Sequence, residues 1–296
     1  MSIIEVENLS KNYGKIIALD GLNLNVEKGE CIAMLGPNGA GKSTFLKIAT
    51  NIVHPTSGTV KIGGVIVEHD PMSALEKVGP LVELPEFYPY LNGKEVLDYV
   101  CRVKGASREE IKSETQRLST MLSMDDYIGR KCGQYSRGMK QRLALACAMV
   151  MDPDVMILDE PTFGLDPRGM REFIDIIMDI NKKESKTIIM STHLISEARE
   201  IASRVIIMNH GKKMVDMKNE RDISMMKVTF SGSLDSNALS SDGIEVVENG
   251  TDWATITAKN NESNRDIILK LMNSGMEVKW VEPVDSIEKT YLDIVK

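Results

Sequence analysis

No stretch of this 296-residue chain is apolar for long enough to cross a bilayer. The longest, Leu143–Met151, falls well short of the roughly 20 residues a spanning helix needs, so the chain is read as not itself integral to a membrane. No C-x-x-C pair occurs among its four cysteines, Cys31, Cys101, Cys132 and Cys147. That pattern reads as reduced thiols in a cytosolic protein rather than a metal site or a disulfide framework. There is no long basic run, and the net charge is −7, which argues against a dedicated nucleic-acid binder. Met1–Leu9 carries Glu5 and Glu7 and lacks the apolar segment of a secretory signal. What the chain does have is 42% apolar residues, enough for a sizeable core. Its length suits one large domain or two unequal ones.

Against those absences stands one dense stretch. Gly36-Pro37-Asn38-Gly39-Ala40-Gly41-Lys42-Ser43-Thr44 fits the G-x-x-x-x-G-K-[ST] phosphate loop. At glycine usage of about 7%, a chance match in a chain this long is about 1%. The apolar run Cys31–Leu35 before it reads as a buried strand, and Lys42–Asn51 after it as a helix. A glycine-rich turn between strand and helix aims successive backbone N–H groups inward, and the helix N-terminus adds roughly half a positive charge to the same concavity. The stretch is expected to cradle a triphosphate, with Lys42 reaching the β- and γ-phosphates and Ser43 binding Mg²⁺. Kinases, GTPases, helicases and transporter ATPases all share such a loop, so the rest of the chain has to decide among them.

Short β-like runs occur at Ile3–Leu9, Leu22–Val26, Thr59–Ile62 and Val65–Val67, with Gly63-Gly64 as a tight turn. From Pro89 to Val150 the character is helical, and Ser107-Arg108-Glu109-Glu110 is a capping-box start for a helix to about Met124. Strands and helices then alternate. Val155–Leu158, Thr187–Met190 and Val205–Met208 read as strands. Ile195–Ala202 and Arg168–Lys182 read as helices, the latter with Phe173, Ile174, Ile177 and Ile180 on one face. The alternation predicts a parallel sheet covered by helices. The polar stretch Val215–Ser224 suggests a boundary, placed after residue 215. Residues 216–296 read as a small α+β module, with strands near Lys227–Phe230, Glu245–Glu248, Trp253–Ala258 and Glu277–Val281 and helices at Asn264–Met272 and Ser286–Val295. Trp253 and Trp280 are both expected in its core.

The strand Val155–Leu158 runs into Asp159 and Glu160. Alone, that is a strand followed by an acidic turn. At the carboxyl edge of a sheet, beside the strand feeding the loop, it acquires chemistry: Asp159 would hold Mg²⁺, and Glu160 would orient and deprotonate an attacking water. Ser136 and Gly138 precede a helix, Met139–Met151. This is either simply a capped helix or, since helix starts attract anions, a second phosphate contact.

With these motifs in this order, the chain resembles the ATP-binding subunit of an ABC transporter over roughly residues 1–215. Tyr135–Met139 stands where that family carries Leu-Ser-Gly-Gly-Gln; Ser136 and Gly138 are kept, while Arg137 and Met139 depart. Gly164-Leu165-Asp166-Pro167 resembles the family's D-loop. Ser191-Thr192-His193 resembles its switch, which implies that His193 senses the γ-phosphate. Tyr13 resembles the aromatic that stacks on adenine. His54, His69 and His210 match nothing. The resemblance implies an α/β phosphate-loop NTPase fold with an antiparallel β subdomain and a helical subdomain at about 89–150, followed by the C-terminal module. It implies ATP and Mg²⁺ as cofactors, with Glu160, His193 and Lys42 as the catalytic residues. It also implies that one subunit's signature faces another's phosphate loop, so that ATP closes a homodimer or a paired subunit head to tail. The implied partner is a separate integral-membrane permease, with the chain on the cytoplasmic face of the membrane and no nucleic acid involved.

One departure carries chemical content. Glu83 occupies the position where the family usually has a glutamine that touches Mg²⁺. A carboxylate ~4 Å from a phosphate charge is repelled by about 4 kcal/mol at an effective dielectric of 20. Glu83 is therefore expected either to ligate Mg²⁺ or to point away when ATP is bound. The stretch Gly79–Leu91, with Glu83, Pro85, Phe87, Tyr88 and Pro89, resembles the branch exporting bacitracin and lantibiotics, and Ser286–Leu292 resembles that exporter class's C-terminal helix. Soluble ABC ATPases of chromosomes and ribosomes are the rival. The former insert a long coiled coil between loop and signature, whereas only 94 residues without sustained heptads separate Lys42 from Ser136 here. The latter carry two phosphate loops per chain, and this chain has one. A regulatory subunit with little turnover is the other rival, and the presence of both Glu160 and His193 argues against it.

Overall fold

The structure is a computed structural model and describes residues 2–83, 86–219, 225–231, 244–258, 264–273, 276–283 and 286–295. Pro85 and residues 220–224 of the expected boundary lie outside the described residues. The chain divides into two compact units, Met1–Asn219 and Glu220–Ile294.

The first unit begins with a hairpin of β1 (Ser2–Tyr13) and β2 (Ile16–Glu27). The chain then enters a second sheet as β3 (Cys31–Leu35), continues into helix α1 (Lys42–Ala49), and returns as β4 (Ser57–Ile62) and β5 (Val65–Ile66). The first sheet is antiparallel in the order β2-β1-β4-β5. After α2 (Pro71–Leu75) and β6 (Val78–Leu81) come three helices, α3 (Gly93–Val103), α4 (Arg108–Met121) and α5 (Arg137–Met149). The alternating part follows as β7 (Val155–Asp159), α6 (Pro167–Glu184), β8 (Thr187–Thr192), α7 (Ile195–Ile201), β9 (Arg204–Asn209) and β10 (Lys212–Lys218). The second sheet has the order β10-β9-β3-β8-β7-β6 and is parallel except for the β9–β10 hairpin.

Period-two burial explains how the two sheets share a core. Ile32 and Met34 of β3 and Ile206 and Met208 of β9 join Ile4, Val6 and Leu24 of the antiparallel sheet and Phe45 and Leu46 of α1 in one buried cluster. Each such side chain contributes roughly 1.5–3 kcal/mol on burial, which fixes α1, and so the loop before it, firmly against both sheets. α7 packs on β3 and α6 on α7. Phe173, Ile174, Ile177 and Ile180 form the buried face of α6. The helices α3, α4 and α5 pack on one another. The Ser107–Glu110 box starts α4, with Ser107 N donating to Glu110 Oε2 at 2.7 Å, and an unforeseen Asn92–Glu95 box starts α3. Among the described residues no helix is long and apolar enough to cross a membrane.

Three expectations need correction. β7 does not lie beside β3: β8 is inserted between them, with Leu35 opposite Thr192 and Asp159 opposite Ser191. The three strand ends are nevertheless level, so all three reach one edge. The boundary placed after residue 215 falls inside β10, an edge strand whose residues alternate exposed and half-buried, which is why its sequence looks like a polar linker. The third concerns the second unit, in which β11 (Met225–Phe230), β12 (Ile244–Asn249), β13 (Trp253–Ala258), α8 (Asn264–Asn273), β14 (Val278–Pro283) and α9 (Ser286–Val295) build an antiparallel sheet of order β12-β13-β11-β14. Its core is Val228, Phe230, Ile244, Ile256, Ile267 and Leu271 with their neighbours. Neither tryptophan is in it. Both pair with Thr229, out of phase with Val228 and Phe230. Trp280 is 66% exposed, and Trp253 is half-buried with Lys227 Nζ 4.9 Å from a ring centroid.

Candidate active site

β3 is buried along its whole length, and the chain turns from its end into α1 through a loop that only glycine fits at two points. Gly41 caps α1 at φ 100°, and a Cβ there would stand 2.5 Å from Ala18 O. At Gly36 a Cβ would stand 2.4 Å from Met208 O. The glycines thus serve both the turn and its close seating on the sheets. The first-turn N–H groups of α1 have no intrahelical acceptor and open toward the loop. Lys42, 4% exposed, donates from Nζ to Gly36 O at 2.7 Å and Pro37 O at 3.1 Å. Burial pushes its pKa below the ordinary lysine value, while Glu160 and Asp159 pull it back up. The site is therefore a buried cation facing two carboxylates.

Those carboxylates are fixed by β8. Asp159 Oδ1 accepts from Ser43 Oγ at 2.9 Å and from Ser191 Oγ at 2.5 Å, and Glu160 N donates to Ser191 Oγ at 2.9 Å. Glu160 sits at φ 42°, a strained backbone for a residue with a side chain, and its Oε2 lies 3.4 Å from His193 Nδ1. The residues after it are tied down in turn. Gln141 Nε2 donates to Pro161 O, and Thr162 Oγ1 donates to Glu197 Oε1. Thr192 Oγ1 donates to the other oxygen of Glu197 at 2.6 Å. The Ser43 hydroxyl and Asp159 carboxylate form a hard-oxygen pair that fits Mg²⁺. Among the described residues no group of three or more His, Cys, Asp or Glu is placed to hold a metal.

Of the residues singled out from the sequence, Gly36–Thr44, Asp159, Glu160 and His193 come together at this edge. Tyr13 ends β1, 46% exposed, with Lys11 Nζ 5.0 Å from its ring centroid. Glu83, at φ 68°, is engaged by Lys47 of α1 at 2.5 Å. That contact holds its carboxyl below the usual range and raises Lys47, which also feels Asp159 and Tyr13. Lys47 is thus a third way to tolerate an acid here, besides a metal or an outward turn. Ser136 caps α5, accepting from Met139 N at 3.3 Å, and Asp166 caps α6, accepting from Gly169 N at 2.8 Å. Gly138 faces Leu165, and Arg137 lies over Phe163. The start of α5 thus meets the segment that leads from β7 into α6. The sequence reading gave no role to Lys47, Ser191, Gln141 or Glu197. Only Lys47, four residues after Ser43 and hence on one helix face with it, had a local signal.

The family model described as "ABC transporter" matches residues 19–163. The bacitracin transport ATP-binding protein BcrA of Enterococcus faecalis is 35% identical over 71% of this chain and 67% of its own. The lantibiotic transport ATP-binding protein SrtF of Streptococcus pyogenes is 36% identical over 72% of this chain and 90% of its own. Among solved structures, the ATP-binding cassette MJ0796, in a dimeric post-hydrolysis state bound to ADP and Pi, superposes with a TM-score of 0.67 at 27% identity, covering 73% of this chain and 99% of that one.

Proposed function

The chain belongs to the ABC transporter family of ATP-binding subunits, and on that premise we propose that it uses Mg-ATP binding and hydrolysis to drive a separate membrane permease exporting antimicrobial peptides, drugs or lipids. The observation that carries the chemistry is the linked set Ser43–Asp159–Ser191–Glu160 beside the buried Lys42. Lys42 and the first-turn N–H groups of α1 hold the β- and γ-phosphates. Ser43 and Asp159 hold Mg²⁺, which when bound offsets charge on the transferred phosphoryl group. Glu160 takes the proton of the attacking water, and His193 beside it donates to the γ-phosphate. Tyr13 offers its ring to adenine.

Ser136 and Gly138 open α5 and Asp166 opens α6, and the two helix starts touch through Gly138–Leu165 and Arg137–Phe163. This supports the reading that they meet the nucleotide of a paired subunit, a homodimer partner or a related chain, and the dimeric cassette with ADP and Pi is consistent with it. A groove of about 640 Å³, lined by Glu83, Phe87, Tyr88, Leu91, Tyr99 and Cys147 among others, is the surface offered to the permease on the cytoplasmic face of the membrane. A transport role with antimicrobial peptides as cargo is supported by the relatives named for bacitracin and lantibiotic transport.

Glu160→Gln is expected to bind Mg-ATP without turning it over and to elute as a dimer in size-exclusion chromatography. A monomer at saturating Mg-ATP contradicts head-to-tail closure, and a wild-type protein releasing no phosphate in a steady-state assay contradicts the ATPase reading. Glu83 supplies a second check. If it also approaches the metal, Glu83→Gln raises the Mg²⁺ concentration giving half-maximal turnover; an unchanged titration leaves it as the partner of Lys47 alone.

A further inference from the structure

Three consecutive residues at the catalytic edge are held by three different elements. Glu160 N donates to Ser191 Oγ of β8, Thr162 Oγ1 donates to Glu197 of α7, and between them Pro161 O accepts from Gln141 of α5. Gln141 is 2% exposed and Pro161 and Thr162 are buried, so the bond is shielded from water. α5 is the helix whose first residues are capped by Ser136. Gln141 stands five residues further on, about 7.5 Å along a rigid axis. The next residue braces the same helix from outside: Arg142 donates to Leu122 O at 2.8 Å and to Glu172 Oε2 of α6 at 2.5 Å. A displacement of the helix start therefore reaches Pro161, next to Glu160, through a buried amide, while its contacts with Phe163 and Leu165 lie further along the segment.

We propose that Gln141 is a positioning residue that couples the two nucleotide sites of the paired assembly, linking the Ser136 end of α5, which serves the partner's nucleotide, to Glu160, which serves its own. The proposal rests on the head-to-tail reading above. When the Ser136 end meets the partner's nucleotide, Gln141 sets the Pro161 carbonyl and with it the main chain of Glu160. A site in one subunit is then competent only when the helix of the same subunit is engaged at the other site. The coupling needs no contact between Gln141 and nucleotide, so its loss changes the rate rather than the affinity.

The test uses Gln141→Leu together with Gln141→Met, the unbranched match in volume, so that a packing defect in one does not decide the outcome. Both are expected to keep ATP affinity within about 2-fold, read with a fluorescent nucleotide, and to lower kcat about 10-fold or more, the loss for a buried hydrogen bond on the reaction path. Asn181→Leu removes amide bonds to Gly29 O and Lys186 O outside the site and should lower thermal stability while leaving kcat unchanged. Wild type is then mixed with a Ser136→Gly protein, glycine keeping most of the helix cap while removing the hydroxyl. In a mixed pair the intact signature serves the variant subunit's nucleotide, while the variant's own α5 start is left unengaged. Independent sites then give about half the wild-type activity at equal proportions, whereas coupled sites give about a quarter, because the variant subunit's site fails as well. Wild-type kcat in both Gln141 variants, or half activity in the mixture, overturns the proposal while the dimer reading stands. Glu160→Gln remaining monomeric with ATP removes the premise itself and overturns the proposal with it.

Discussion

Lys42→Met lowers ATP turnover about 10²- to 10³-fold and ATP affinity about 10- to 100-fold, yet leaves the nucleotide-free fold close to its original stability. The ammonium is almost fully buried, and burial is the largest influence on its pKa, lowering it, with Glu160 and Asp159 opposing. A lysine whose folded pKa is lowered carries its charge less readily in the folded than in the unfolded chain. Below the folded pKa that cost is fully present; it fades as pH rises toward the unfolded value of 10.5. Methionine keeps the packing of the stem and removes the charge. Against this gain stand two loop carbonyls, Gly36 O and Pro37 O, that lose a donor, and the two effects oppose each other at about 1–3 kcal/mol each. Calorimetry at pH 7.5 should find similar midpoints, with the wild type gaining on the variant as the pH is raised toward 10. Nucleotide titration of the same samples gives the other half of the result. Undiminished ATP binding would remove Lys42 from the phosphate site, and a collapse of the fold would assign it a structural role instead.

What made this site legible in the sequence was local geometry. Gly36 and Gly41 are where they are because the backbone between β3 and α1 admits nothing larger, so their spacing is a record of the turn itself. Ser107 with Glu110, and Ser136, announce helix starts for the same reason: a cap and its target lie three residues apart. Asp159 and Glu160 stood out because a strand of apolar residues ended on them. The contacts that organise the edge were not written locally. Gln141 and Pro161 are separated by 20 residues, and Thr162 and Glu197 by 35, and neither pair belongs to a repeating pattern. The insertion of β8 between β3 and β7 is a property of the assembled sheet, because apolar strands such as Val155–Leu158 and Thr187–Met190 carry no mark of their neighbours. Trp280 misled for a related reason: size and hydrophobicity suggested the core, but strand parity put it on the other face.

Glu197→Leu is expected to be the most damaging single change outside the phosphate loop. Its carboxylate, 1% exposed, accepts from Thr162 on the segment after β7 and from Thr192 at the end of β8. Leucine leaves both buried hydroxyls without an acceptor, at about 1–3 kcal/mol each, so unfolding free energy should fall by about 2–5 kcal/mol. Turnover should fall as well, by about 10- to 100-fold, because the two segments so tied carry Glu160 and His193. Glu197→Gln should be milder in both respects, since its amide oxygen still accepts from one threonine and its NH₂ group can donate to the other. Stability and positioning are separated by the triple variant Thr162→Val, Thr192→Val, Glu197→Leu. Replacing all partners with apolar groups of similar shape removes the unpaired hydroxyls and should restore much of the stability. Recovery stays incomplete because Leu194 N, which donates to Thr192 Oγ1 at 3.0 Å, loses its acceptor. The apolar triad has no directional bond to hold the Glu160 and His193 segments in register, so turnover should remain low as stability returns. A triple variant that regains both would reduce Glu197 to a packing residue; regained stability without regained turnover makes the carboxylate the bolt between the two catalytic segments.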